Sequence, residues 1–289
     1  MKKKKLNIYK LFIYVALIAL AVSIIVPVLW VFMASIKSNQ EFYGNPWQLP
    51  KGFRWENFKE AVEIAKMGEY FTNSIVVTAL AIGILLLVSI PCAYVLARFE
   101  FKGQKIISGI FQAGIFVNVN YIVVPIFLML LDWDIALRGR FDKGFFLDNR
   151  FVLALVYAAT AIPFTVYLLS NYFRTIPKEF EEAASVDGAS HFRTMVSIMI
   201  PMARPSIVTV ILFNFLAFWN EYIIALTLMP SSTKTLPVGL INLMQSQRGA
   251  ANYGPMYAGL VLVMLPTLIL YVLVQKKLTE GMTVGGVKG

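Results

Sequence analysis

Five uncharged, strongly apolar runs dominate this chain: residues 11–35, 71–97, 106–131, 151–173 and 249–275. A sixth, residues 205–232, is interrupted only by Glu221. A helix rises about 1.5 Å per residue, so roughly 20 apolar residues cross a hydrocarbon core, and each run is long enough. Backbone polar groups in lipid must be satisfied within the segment, which selects helices for runs of this kind. The expected fold is therefore all-α and polytopic, with six transmembrane helices. Hydrophobic residues make up 58% of the chain and charged residues 15%, a composition that a soluble domain does not sustain over such runs.

A block of four consecutive lysines, Lys2 to Lys5, lies ahead of the first run, as in a secretory signal. A cleavable apolar core is about 7–15 residues long, and this one is about twice that without a small-x-small site at a suitable distance, so it reads as an uncleaved first span. Sidedness follows from Lys and Arg placement. With the N-terminus inside, Lys2, Lys3, Lys4, Lys5, Lys10, Arg98, Lys102, Lys105, Arg174, Lys178, Arg193, Arg204, Lys276, Lys277 and Lys288 fall on the cytoplasmic side, 15 of the 26 basic residues. The net charge of +10 is accounted for by this asymmetry and calls for no nucleic acid. The expected organisation is a cytoplasmic N-terminus (1–10), a first span (11–35) and an external loop with a short amphipathic helix over 57–68 (36–70). A five-helix core (71–276) follows, with a cytoplasmic loop at 174–204, then a cytoplasmic tail (277–289).

Little in the chain suggests chemistry of its own. His191 is the only histidine and Cys92 the only cysteine, which leaves no metal cluster and no disulfide framework. The glycine-rich ending 281–289 lacks the spacing of a phosphate loop and has no Ser or Thr after Lys288. No enzyme activity is expected, and any ATP hydrolysis that drives this protein must reside on another chain. Polar groups within apolar runs are costly and mark candidates for a solute path. Here they are Asn118, Asn120, Asn214, Asn220 and Glu221, with Phe218 between Asn214 and Glu221 on one helix face.

The segment 181–201 differs from everything around it. Good helix formers, a free-turning Gly188 and a second amphipathic stretch from His191 predict helix, tight bend, helix: a compact knob suited to docking. Its spacing is specific. Glu182-Ala183-Ala184, three residues, Gly188, nine residues, then Ile198-Met199-Ile200-Pro201 resembles the cytoplasmic loop signature of ABC importer permeases, departing only in Ile200 where the family has Leu. Asn73-Ser74, Ala93 through Arg98, Trp219-Asn220-Glu221-Tyr222, Thr235 through Leu240 and the ending Gly285 through Gly289 resemble the carbohydrate-uptake branch, that of the maltose permease MalG and related sugar permeases.

The resemblance implies a type I ABC importer permease fold with both termini cytoplasmic. It implies a place in a bacterial or archaeal cytoplasmic (inner) membrane. It further implies that the segment 181–192 is a coupling helix: Glu181, Glu182, Ala183, Ala184, Asp187, Gly188 and Pro201 would meet an ATP-binding subunit, and Glu182 would pair with a base there. Gly285, Gly286 and Lys288 of the tail would reach the ATPase dimer. The implied partners are a second permease subunit in a heterodimer, two ATP-binding subunits and an extracytoplasmic solute-binding protein, met by the external segment 229–257. The implied cargo is a sugar or oligosaccharide. No cofactor is expected on this chain, ATP and Mg lying on the partner ATPase. A glycerol-phosphate or polyol importer, an ion-coupled secondary transporter and a membrane scaffold are the alternatives.

Overall fold

The computed structural model describes residues 8–63, 66–137, 144–230, 233–250 and 252–284, and among these every regular element is helical. The chain divides into two units. One comprises residues up to Gly68 with Gly239–Pro266, the other Glu69–Val238 with the segment from Thr267.

In the first unit, α1 (Ile8–Ser35) is the most apolar helix, and no residue of its most hydropathic window is buried within the chain. A helix so exposed and so apolar needs lipid or another protein around it. Its end is held by the side chain of Asn57, which donates to the carbonyls of Ser35 and Lys37 at 2.8 and 2.9 Å. Those carbonyls have no partner one helical turn ahead, so the buried amide supplies one. Gly254 sits against Asn57, and a Cβ there would lie 2.5 Å from its Oδ1.

Beyond α1, α2 (Asn39–Gly44) opens with a capping box in which Ser38 and Glu41 exchange bonds with each other's backbone. Glu41 also accepts from the Lys51 amide at 2.8 Å. These backbone N–H groups of Ser38 and Lys51 hold the Glu41 carboxyl below its usual value. Trp30 packs against Phe42, Trp47 and Tyr257, and its indole N–H donates to the Pro46 carbonyl. Of the amphipathic stretch expected over 57–68, residues up to Glu63 lie in α3 (Glu56–Glu63), while Met67 and Gly68 already belong to the next helix, with Lys66 at φ +55 immediately before it.

The second unit contains α4 (Met67–Arg98, beginning just before the unit boundary), α5 (Gln104–Gly114), α6 (Val119–Ala136) and α7 (Arg150–Thr175). Two apolar cores are strung along α4 and α7. One gathers Leu85, Leu153, Tyr157 and Phe218, the other Tyr94, Leu169, Phe173 and Met199. Arg150 at the start of α7 donates to Asn73 near the start of α4, and Tyr94 meets Phe173 near both ends. These two helices therefore run in the same direction, so the intervening α5 and α6 together cross back once.

The run 106–131 is accordingly not one helix. It breaks after Gly114, where the side chain of Asn118 accepts from the Asn120 amide at 3.0 Å and starts α6 afresh. The Gly114 break also admits Pro163 of α7, whose ring would lie 3.0 Å from a Cβ at that position. At the far end of α6, buried Asp134 accepts from the amides of Phe145, Phe146 and Leu147 at 2.6, 2.8 and 2.9 Å and so folds the return toward α7.

After α7 come α8 (Glu179–Val186), α9 (His191–Thr194), a π-helical turn (Met195–Met199), α10 (Ile200–Met202), α11 (Arg204–Trp219) and α12 (Ile223–Leu228). The run 205–232 is also broken, between α11 and α12. The chain closes with α13 (Leu236–Ala250) and α14 (Tyr253–Val284), each crossing from one unit to the other. Among the described residues, five helices are long and apolar enough to span a membrane. A sixth span is reached if His191–Met202 and Arg204–Trp219, bent by 75° from one another, count as one. The polytopic all-α fold is as expected.

Candidate functional site

The knob forms as its sequence implies. Three acidic residues, Glu179, Glu181 and Glu182, occupy the first turn of α8, where they complement the positive end of the helix dipole. The helix stops in a Schellman arrangement: the Ala189 amide reaches back to the Ala184 carbonyl at 2.9 Å, and the Gly188 amide to Ser185 at 3.0 Å. That closure needs a left-handed residue, and Gly188 takes φ +75 with open space where a side chain would be. Ser190 then caps α9 by accepting from the Arg193 amide.

The knob has two sides. Glu182, Ala183, Asp187 and Gly188 are exposed together, as are Phe180, Val186 and Phe192. Val186 is 88% exposed and Phe192 72%, and such apolar exposure beside the acidic first turn of α8 suits a protein partner. Ala184 and Glu181 face inward. Glu181 Oε1 accepts from the Tyr94 hydroxyl at 2.8 Å, and its Oε2 lies 3.1 Å from Arg98 Nε. This is a close ion pair, although the Arg98 Nε–H does not point at the oxygen. Pro201 stands apart in α10, beyond the π-helical turn. Gly285, Gly286 and Lys288 lie outside the described residues.

The intramembrane candidates are dispersed. Asn118 and Asn120 are exposed at the α5–α6 break. Asn214 is 4% exposed, and its amide donates to the Val210 carbonyl at 2.8 Å and to Thr165 Oγ1 at 3.2 Å. Phe218 stacks on Tyr157 with centroids 5.4 Å apart. Asn220 caps the end of α11 and bonds Leu216. Glu221 has left the helix altogether, so it does not share a helical face with Asn214 and Phe218. It accepts from the Ile224 and Ala225 amides at 2.7 and 3.0 Å, starting α12, and from the Tyr157 hydroxyl at 2.6 Å.

A groove of about 390 Å³ does run between the α5–α6 break and α7, lined by Gly114, Val117, Ile122, Met129, Thr160 and Pro163 among others. Its lining is nearly all apolar; the Thr160 hydroxyl is turned to the Tyr157 carbonyl.

Tyr94 and Arg98 entered from the sequence only within the Ala93 through Arg98 box, with no contact to Glu181 expected, and Tyr157 was not singled out. Tyr94 and Arg98 are four residues apart and so share one helix face, but that spacing does not identify α8 as their partner.

The family described as "Binding-protein-dependent transport system inner membrane component" matches residues 86–278. The chain belongs to this family. It is 36% identical over 270 residues to the diacetylchitobiose uptake system permease protein NgcG of Streptomyces coelicolor, covering 93% of this chain and 86% of that one. To the galactooligosaccharides transport system permease protein GanQ of Bacillus subtilis it is 29% identical, covering 96% and 95%. Among solved structures, a bacterial ABC transporter involved in the import of the acidic polysaccharide alginate superposes with TM-score 0.78 at 24% identity, covering 96% of this chain and 98% of that one. The chain is thus a multi-pass inner-membrane transport component.

Proposed function

We propose that this protein is the permease subunit of an ATP-driven importer for a sugar or oligosaccharide. It forms half of the translocation path, a second permease the other half. The observation that carries the coupling role is the knob. Its open side gathers Glu182, Asp187, Val186 and Phe192 on a helix–bend–helix that is itself rigidly capped. An apolar patch with a carboxylate beside it offers an ATPase both burial and a charge-assisted bond, the pairing that produces binding hot spots. ATP and Mg would bind the two ATPase subunits, and a solute-binding protein would deliver cargo at the opposite end. The saccharide class is supported by the relatives that transport diacetylchitobiose and galactooligosaccharides and by whole-length similarity to both. The test is to purify the chain with its co-expressed ATPases and second permease, and to measure ATP hydrolysis on adding the binding protein across a panel of oligosaccharides. Stimulation by a saccharide supports the reading; stimulation only by a polyol or glycerol phosphate replaces the substrate class.

A further inference from the structure

The inward side of the knob is tied to the end of one particular helix. Arg98, in the last turn of α4, has a side chain only 5% exposed. Its guanidinium holds two elements at once, with Nε 3.1 Å from Glu181 Oε2 of α8 and Nη2 donating to the Ile176 carbonyl, the C-cap of α7, at 2.6 Å. One turn earlier, Tyr94 is 3% exposed and gives its hydroxyl to Glu181 Oε1 at 2.8 Å. The ring of Phe99, directly after α4, meets the Tyr94 ring at 5.7 Å and the His191 ring of α9 at 5.1 Å, both edge-on. Both helices of the knob and the end of α7 are therefore fastened to the last turn of α4. Separating Glu181 from Arg98 would strand a charge in a largely buried site, which is far costlier than breaking an exposed pair.

We propose that Tyr94 and Arg98 clamp the knob to α4 through Glu181, so that a displacement imposed on α8 is carried into the membrane by α4 and α7 as one rigid body. Both are positioning residues: they do not touch the docking partner, and they decide which spans follow when it moves. The inference rests on the reading of the knob as an ATPase docking site.

The test uses the complete transporter with its ATPases and binding protein, in a Cys92→Ala background. Its readout is the factor by which diacetylchitobiose-loaded binding protein, as probe, stimulates ATP hydrolysis. Tyr94→Cys with Glu181→Cys removes the Tyr94 hydroxyl and the carboxylate that Tyr94 and Arg98 both hold, and a bifunctional thiol reagent of matching span then re-joins the two positions covalently. The unlinked pair is expected to lose at least tenfold of the stimulation while the ATPases still co-elute, and cross-linking is expected to restore it to within threefold of the parent. Arg98→Met should reproduce the unlinked phenotype without new thiols. An arrested cross-linked form would show that knob and α4 must move apart, and would overturn the clamp. So would undiminished stimulation in the unlinked pair or in Arg98→Met. Glu182→Lys, on the exposed side, separates the two ideas. If it leaves ATPase association intact, the docking reading fails; if it abolishes association while Arg98→Met leaves stimulation unchanged, only the clamp fails.

Discussion

Glu221 looks from the sequence like a solute ligand in mid-membrane, while its bonds give it a structural task, and truncation separates the two. In Glu221→Ala, α12 loses the acceptor for its Ile224 and Ala225 amides, a capping loss of about 1–2 kcal/mol. The Tyr157 hydroxyl loses its acceptor at 2.6 Å on a residue that is 1% exposed. A single interhelical bond in a membrane averages about 0.6 kcal/mol with a ceiling near 1.7, and the short 2.6 Å distance places this one toward the upper end. The sum is about 2–4 kcal/mol. At roughly 2–4 °C per kcal/mol for a chain of this size, the melting temperature should fall by about 4–16 °C. Thermal unfolding of the purified protein in detergent measures this directly. A double-mutant cycle with Tyr157→Phe should return a coupling of about 1 kcal/mol. If Glu221→Ala melts within about 2 °C of the parent and instead weakens saccharide-dependent ATPase stimulation, the latch is wrong and Glu221 is a solute contact.

Gly188→Ala should destabilise the knob by about 1–2 kcal/mol through backbone strain alone, since nothing lies within 4 Å of the added Cβ; faster amide exchange at Gly188 and Ala189 would show it. Asp134→Ala removes the acceptor for three amides and should cost about 2–4 kcal/mol, with exchange of the Phe145, Phe146 and Leu147 amides accelerated first. Because the folded pKa of Glu41 is lowered, its contribution is present above about pH 4.5 and lost as pH falls through the folded value; protection of the Lys51 amide should drop over that acidic range and stay flat from pH 5 to 7. Gly254→Ala should eject the Asn57 amide from the end of α1, lowering the melting temperature by several degrees, with Asn57→Ala producing a similar loss.

The spans and the knob were legible because their signals are local. Lipid demands long uncharged runs, and a Schellman closure demands a residue such as Gly188 at the left-handed position. The two broken runs were not legible. Nothing in their hydropathy distinguishes a straight helix from one that restarts, and the restart depends on where one side chain points, Asn118 at the head of α6 and Glu221 at the head of α12. The partners of the inner polar residues were not legible for a related reason. A polar group in an apolar run must be satisfied somewhere, and Asn214 is satisfied by Thr165 and its own helix. The clamp on Glu181 was hidden because its partners come from a helix some 80 residues earlier; pairing of that kind is written in the fold rather than in any window of sequence.

The central claim is that force enters this chain through the exposed side of the knob. The most direct measurement is ATP-driven uptake of labelled oligosaccharide into proteoliposomes holding the complete transporter and its binding protein, with Glu182→Lys beside the parent. The account predicts uptake that requires both ATP and binding protein, and its loss in Glu182→Lys together with dissociation of the ATPases. Uptake that continues without ATP, or that persists undiminished in Glu182→Lys, would contradict it.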